Sequence, residues 1–330
     1  MLYCYLLRPL LFRLDAERAH ELAVFSARQL ARSRFACRVV RELFARPRSR
    51  PVQLLGLTFP NPVGLAAGLD KNARAPLAWW AFGFGFVELG TVTPRPQAGN
   101  DKPRMFRFPA ERAIVNRMGF NNDGADAVAK RLAGQPRLPY PVGVSVGKNK
   151  DTPAEQAADD FATAAGVVAP HADFVAINVS SPNTAGLRAL QNADDVRKLV
   201  TAVRAASGAK PVLVKVAPEL DGAALAAVLE ASLEAGAAGF IATNTLSTAN
   251  RPELPQGGLS GRPLRELALR KVAEVRQRIG TAALIGCGGI DDAPSAQAML
   301  DAGADLVQLY TGLVYEGPFL AAAITRRLRP

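Results

Sequence analysis

The sequence predicts an α/β fold, a parallel (β/α)8 barrel of the TIM type with an N-terminal helical extension. Residues 1–50 form the extension and 51–330 the barrel. Three observations carry this. Short β-rich apolar runs alternate with helix-like segments from residue 63 to the C-terminus, the alternation repeats eight times, and no GxGxxG motif follows the first run. Continuous apolar runs suit parallel strands buried on both faces, and the missing glycine motif disfavours a doubly wound open sheet, the nearest alternative.

The extension comes first in the chain. Leu6, Leu7, Leu10, Leu11 and Leu14, then Ala19, Leu22, Ala23, Phe25 and Ser26, recur at helical spacing with Arg8, Arg13, Arg18, Arg28 and Arg32 between them. Two short amphipathic helices are expected. The first fifty residues hold eleven arginines against four carboxylates, so much of the net charge of +11 is local. An apolar face flanked by arginines suits a helix lying in a membrane interface, although most amphipathic helices pack on their own domain. Arg8 and Arg13 interrupt the apolar run and no small-residue cleavage site follows, unlike a signal peptide. No uncharged run is long enough to span a bilayer, so peripheral attachment is the form of membrane contact expected. The basic stretch lacks interleaved aromatics and helix-turn-helix or zinc-finger spacing, and nucleic acid is not an expected partner.

Residues 52–62 read as a hairpin closing the bottom of the barrel. The eight strand-like runs are 63–68, 86–92, 141–147, 174–180, 211–217, 239–245, 283–289 and 306–312. Helices are expected near 72–82, 122–133, 153–169, 192–206, 220–235, 262–279, 292–302 and 318–328, most opening on Asp, Asn, Ser or Pro. The connection 93–121 is long for a barrel loop and is expected to act as a lid.

Composition narrows the chemistry. With 49% hydrophobic and 21% charged residues the chain is globular rather than disordered or collagen-like. Cys4, Cys37 and Cys287 form no CxxC pair, and His20 and His171 are too few for a histidine metal site, so no metal is expected. Barrel enzymes work at the C-terminal ends of their strands, and the polar residues crowd there. They are Asp70, Lys71 and Asn72; Thr91 and Thr93; Lys148, Asn149 and Lys150; Asn178, Ser180, Ser181 and Asn183; Lys215; and Thr243, Asn244 and Thr245. A lysine inside the apolar run VLVKVA needs an anionic or electron-rich partner, and a bound cofactor is expected to supply it. Asp70 and Glu88 show no evident partner. Gly286, Gly288 and Gly289 before Asp291 and Asp292, with Tyr310, Thr311 and Gly312, form the usual phosphate-binding end of such barrels. Hydroxyls, amides and lysines around a phosphate bind and orient but need a cofactor for redox chemistry, and FMN fits.

The segments AAGLDKN (66–72), GTVTPRPQAGNDKPRMFR (90–107), NRMGFNN (116–122), GKNKDTP (147–153), INVSSPNTAGLRALQ (177–191), ATNT (242–245), GGLSGRPL (257–264), GCGGI (286–290) and QLYTG (308–312) closely resemble the dihydroorotate dehydrogenase family along essentially the whole chain. LDAERAHEL (14–22) resembles the extension of its membrane-associated, quinone-dependent class 2.

The resemblance implies an FMN-dependent oxidoreductase acting on a CH–CH bond. It would oxidise (S)-dihydroorotate to orotate, pass electrons to ubiquinone and serve UMP biosynthesis. It further implies a peripheral protein on the cytoplasmic side of the inner membrane, expected as a monomer. Ser181 of SSPNT matches the base, where cytosolic classes place cysteine, with Thr184 and an ordered water near Phe120 as its relay. FMN contacts would come from Ala67, Gly68, Leu69, Asp70, Lys71, Thr91, Ser145, Asn178, Lys215, Thr243, Gly261, Gly289, Tyr310 and Thr311. Ser145 departs from the asparagine often found at its position. Dihydroorotate would be held by Lys71, Asn116, Arg117, Met118, Gly119, Phe120, Asn178, Asn183, Asn244 and Thr245, and His20, Arg104 and Tyr310 would line a quinone tunnel. A non-enzymatic membrane or nucleic-acid binder, and a related FMN barrel using another pyrimidine, fumarate or NAD, are the rival readings. Ser181 and residues 1–50 argue against the second.

Overall fold

The computed structural model describes residues 3–47, 49–184 and 186–329. Strands β3 (Val63–Leu65), β4 (Phe86–Val92), β7 (Val142–Val146), β8 (Phe174–Asn178), β9 (Val212–Val216), β10 (Gly239–Ala242), β13 (Ala283–Cys287) and β14 (Leu306–Leu309) close a parallel barrel in the order β10-β13-β14-β3-β4-β7-β8-β9. All eight runs read from the sequence are barrel strands. Several end earlier than their apolar patterns suggest: the strand in the 239–245 run ends at Ala242 and that in the 306–312 run at Leu309. The residues beyond turn toward the barrel mouth, and Thr311–Glu316 starts a short helix.

Helices on the outer face follow the expected segments. Ala193–Ser207 opens on Asn192, whose side chain accepts from the Asp195 amide, and Ala293–Asp301 opens on an Asp292–Ser295 capping box. Such caps satisfy amides that the first helical turn leaves unpaired. The hairpin of β1 (Val52–Leu54) and β2 (Leu57–Phe59) precedes the barrel. Fully buried Phe59 stands edge-on to Phe86, which packs near Phe174, so three rings plug the N-terminal end. Each such ring contributes roughly 1.5–3 kcal/mol by leaving water.

Two expectations need correction. The 93–121 connection is not a simple loop, because it holds β5 (Met105–Phe108) and β6 (Ala113–Asn116). These join β11 (Leu246–Ser247) and β12 (Gly258–Gly261) in an antiparallel sheet of order β11-β12-β6-β5. Pairing across more than a hundred residues leaves no local periodic signal. The extension also has more than two helices: the segments Arg8–Leu11, Ala16–Ala31 and Arg34–Val40 are α-helical, and wider turns run over Tyr3–Leu7 and Arg41–Ala45. Asp15 and Ser33 cap the second and third, dividing the chain where the leucine pattern alone does not.

The extension is docked by polar anchors. Tyr3 donates to the Val314 carbonyl at 2.7 Å and Arg8 to that of Tyr315 at 2.9 Å, while Arg41 reaches the Trp80 carbonyl and lies over its ring. Its outer face is apolar. Tyr5, Leu6, Leu7, Leu10, Leu14, Leu22, Phe25, Phe35, Val39, Leu43 and Phe44 are exposed, and among the described residues every exposed large hydrophobic side chain belongs to this group. No helix of the described residues is long and apolar enough to cross a membrane.

Candidate active site

A cavity opens at the C-terminal mouth of the barrel. Its wall combines the ends of seven barrel strands, all but β7, with the antiparallel sheet above them. From the expected set the structure brings together Ala67, Gly68, Lys71, Thr91, Asn116, Met118, Gly119, Phe120, Asn178, Ser181, Asn183, Lys215, Thr243, Asn244, Thr245, Gly261, Gly289, Tyr310 and Thr311.

One side of the cavity is a hydrogen-bonded amide network. Asn178 donates to the Thr91 hydroxyl at 2.7 Å, and Asn244 donates to Asn178 Oδ1 at 3.1 Å and to Ser180 Oγ at 2.9 Å. Asn183 donates to Asn116 Oδ1 at 3.2 Å, linking the SSPNT turn to the end of β6. Each amide is locked by its neighbour, which gives a set of donors and acceptors with fixed directions. Ser181 is buried in this wall, its Oγ accepting the Asn183 amide at 3.3 Å. Thr184, three residues on, is also buried and its hydroxyl has no partner, although it lies outside the cavity wall.

Lys71 supplies a cation at the rim. Burial pulls its ammonium down to about 8, against the opposing pull of nearby Glu17. Lys71 also lines a second cavity, shared with His20, Val24 and Phe25 of the Ala16–Ala31 helix. The His20 ring lies parallel to that of Tyr310, with Nδ1 3.4 Å from the hydroxyl. Burial and then the Lys71 charge lower His20 to about 3, so its imidazole is neutral, and burial raises the Tyr310 phenol. The two rings therefore form an uncharged partition between the extension and the mouth.

Several expected residues take other roles. Asp70 accepts from the amides of Arg74 and Ala75 and from the Trp79 indole, so its carboxylate caps the following turn and does not face the cavity. Leu69 is buried beside the second cavity, and the Ser145 hydroxyl is paired with Thr91 at 3.0 Å outside the wall. Arg117 points outward to the Pro103 carbonyl. Arg104 does not line the mouth cavity: its guanidinium grips Glu17 through Nε and Nη2 and the carbonyls of Ala98 and Asn100 through Nη1. Lys148 is held by the carbonyls of Asn149 and Thr152, and Asn149 by Thr93, Arg95 and Gln97. His171 is exposed just before β8, at the opposite end of the barrel.

Lys215 has a protein partner that sequence reasoning missed. Its ammonium donates to Glu88 Oε2 at 3.2 Å, with both side chains buried. Burial, the largest single influence, pulls Lys215 down, but the charge and hydrogen bond of Glu88 together with the neighbouring Cys287 outweigh it and hold the ammonium above its usual value. A carboxylate inside the apolar run FVELGTV raises the same question as a lysine inside VLVKVA, and pairing the two would have answered both. Arg112, Ser260, Arg262, Asp291 and Gln308 also line the cavity; Ser260, Arg262 and Gln308 lie in the family-like motifs and Asp291 follows the glycines, but none is among the expected site residues. Cys287 lines it as well.

The residues present fit a phosphorylated planar cofactor. Gly289 has φ +71° and a Cβ there would come within 2.5 Å of Arg265, while a Cβ on Gly288 would meet Ala268 at 2.7 Å. Only glycine lets this strand end pack so closely on the helix that opens at Arg265, and its backbone carries no side chain at the cavity wall. Arg112, Arg262 and Arg265 converge on Asp291 beside it, with Arg112 also paired to Glu316, so guanidinium groups able to bond a phosphate stand at this end of the cavity. Deeper down, both amide atoms of fully buried Gln308 are unpaired, as polar groups awaiting a ligand are.

Residues 50–330 match the family model described as Dihydroorotate dehydrogenase. The chain belongs to the dihydroorotate dehydrogenase family. Two curated relatives named Dihydroorotate dehydrogenase (quinone) agree: that of Salinispora arenicola is 50% identical, covering 100% of this chain and 99% of its own, and that of Chloroflexus aurantiacus is 47% identical over 99% and 96%. The ligand-free crystal structure of the Eimeria tenella enzyme superposes with a TM-score of 0.85 at 36% identity, covering 94% of this chain and 93% of that one. Its complex with ferulenol gives a TM-score of 0.84 at the same identity.

Proposed function

We propose that this chain oxidises (S)-dihydroorotate to orotate with FMN as the immediate and ubiquinone as the final acceptor, the redox step of UMP biosynthesis. The observation that carries it is the wall in which Ser181, the interlocked Asn116, Asn178, Asn183 and Asn244, and Lys71 share one cavity. A ring carrying amides and a carboxylate needs that combination of fixed donors, fixed acceptors and one cation. The full-length similarity to quinone-dependent relatives supports the same reading.

Lys71 neutralises the substrate carboxylate, and the asparagines with Thr245 orient the ring. Ser181 Oγ takes the proton from C5 as hydride leaves C6. A serine is a weak base alone, and the buried, unpartnered hydroxyl of Thr184 three residues on supports a relay that carries the proton onward. Lys215, Thr91, Asn178, Gly68, Thr243, Gly261, Gly289 and Thr311 would hold the cofactor. Bound FMN would supply the hydride-accepting and quinone-reducing chemistry.

Residues 1–50 form a membrane and quinone-access segment on the catalytic barrel of residues 51–330. The clustered exposed apolar side chains, the surrounding arginines and the His20–Tyr310 partition support attachment to the cytoplasmic face of the inner membrane, with quinone entering past those rings. The protein works in this reading as a monomer without nucleic-acid partners.

The test is spectroscopic. The purified protein is expected to show flavin bands that bleach on anaerobic dihydroorotate and return with a soluble ubiquinone analogue. A flavin indifferent to dihydroorotate would move the substrate elsewhere, and a protein that cannot be reconstituted with FMN would overturn the enzyme reading.

A further inference from the structure

The eight barrel strands carry two charged residues, Glu88 on β4 and Lys215 on β9. These strands are not neighbours, since β7 and β8 lie between them, yet the side chains meet across the interior at 3.2 Å. Lys215 lines the mouth cavity and Glu88 does not, so the carboxylate stands behind the ammonium, away from the ligand. Glu88 is fully buried and its second oxygen has no partner. Gln308 is neutral, and burial raises the Cys287 thiol so that it too stays uncharged. The net charge presented from below the cofactor is therefore set by this pair alone.

We propose that Glu88 is a positioning residue that sets the reduction potential of the bound flavin by cancelling the charge of Lys215 while leaving its N–H groups free to donate. A lone buried ammonium at the ring edge would favour the reduced, more negative flavin. The paired ammonium offers a hydrogen bond with little net field, which holds the potential low enough for electrons to move on to quinone. Stability does not account for the pair, because buried ion pairs are often replaced by apolar residues without loss. The inference rests on the FMN reading above.

The experiment compares wild type with Glu88→Gln and Glu88→Asp by spectroelectrochemical titration of the holoenzyme and by FMN titration of the apoprotein. Glu88→Gln is expected to stabilise reduced over oxidised flavin about tenfold, or about 30 mV upward for a two-electron couple. Glu88→Asp, which keeps the charge, is expected to restore most of the wild-type potential. Wild-type potential and affinity in Glu88→Gln would overturn the proposal while leaving the FMN reading intact, whereas a wild type that binds no FMN defeats the reading itself. If Glu88→Gln does not fold, Glu88→Gln/Lys215→Gln is measured instead: it keeps the interior neutral, so a potential close to wild type in the flavin it binds would support charge cancellation, and an upward shift as large as about 30 mV would overturn it.

Discussion

Replacing Glu17 by glutamine tests how the extension is held on the barrel. Arg104 reaches Glu17 through Nε at 3.1 and 3.2 Å and through Nη2 at 2.8 Å, with both side chains under a tenth exposed. The substitution leaves a buried guanidinium without its counter-charge, which typically costs about 3–5 kcal/mol. The lower end applies, because Nη1 keeps the carbonyls of Ala98 at 2.6 Å and Asn100 at 2.8 Å. Lys102 adds little to the pair, being well exposed. About 3 kcal/mol of local stability corresponds to roughly a hundredfold larger population of undocked helix. Native-state hydrogen exchange of the Ala16–Ala31 amides reads that population directly. A change under about fivefold would refute the reasoning. The acid dependence follows with its sign. Burial works to raise the Glu17 carboxyl, but the hydrogen bonds and charge of Arg104, aided by Lys102, outweigh it and hold it below its usual value of 4.5. Docking is therefore fully stabilised above about 4.5 and weakens as pH falls through the lower folded value, a dependence that Glu17→Gln should lack.

Ser181→Ala is expected to keep its flavin and slow reduction by dihydroorotate by orders of magnitude in stopped flow, and a near-normal rate would remove Ser181 as base. Because Lys71 loses its proton near pH 8 in the free protein, affinity for orotate should fall above that pH, and a binding curve flat from pH 6 to 9.5 would contradict its role. Substituting Leu10, Phe35 and Phe44 together by glutamate should abolish sedimentation with anionic vesicles yet leave flavin reduction by dihydroorotate unchanged, since all three are exposed on the extension. Unchanged vesicle binding would place the membrane contact elsewhere.

What the sequence determined by itself was local: eight apolar runs, their intervening helices, the glycines before Asp291 and the polar strand ends each follow from neighbouring residues and backbone preference. The mouth residues were readable because a barrel gathers strand ends whatever their separation. Tertiary structure alone decided which charges meet. Glu88 and Lys215 are 127 residues apart and Glu17 and Arg104 are 87 apart, so no spacing rule links them. The same holds for β6, which finds β12 rather than forming a free lid. Asp70 shows the converse: it stands beside Lys71 in the motif, but its carboxylate is consumed by backbone amides and the Trp79 indole, so adjacency in sequence did not place it in the site. Local pattern specifies which elements form, whereas the direction and neutralisation of a buried charge depend on whatever distant side chain the closed barrel sets opposite it.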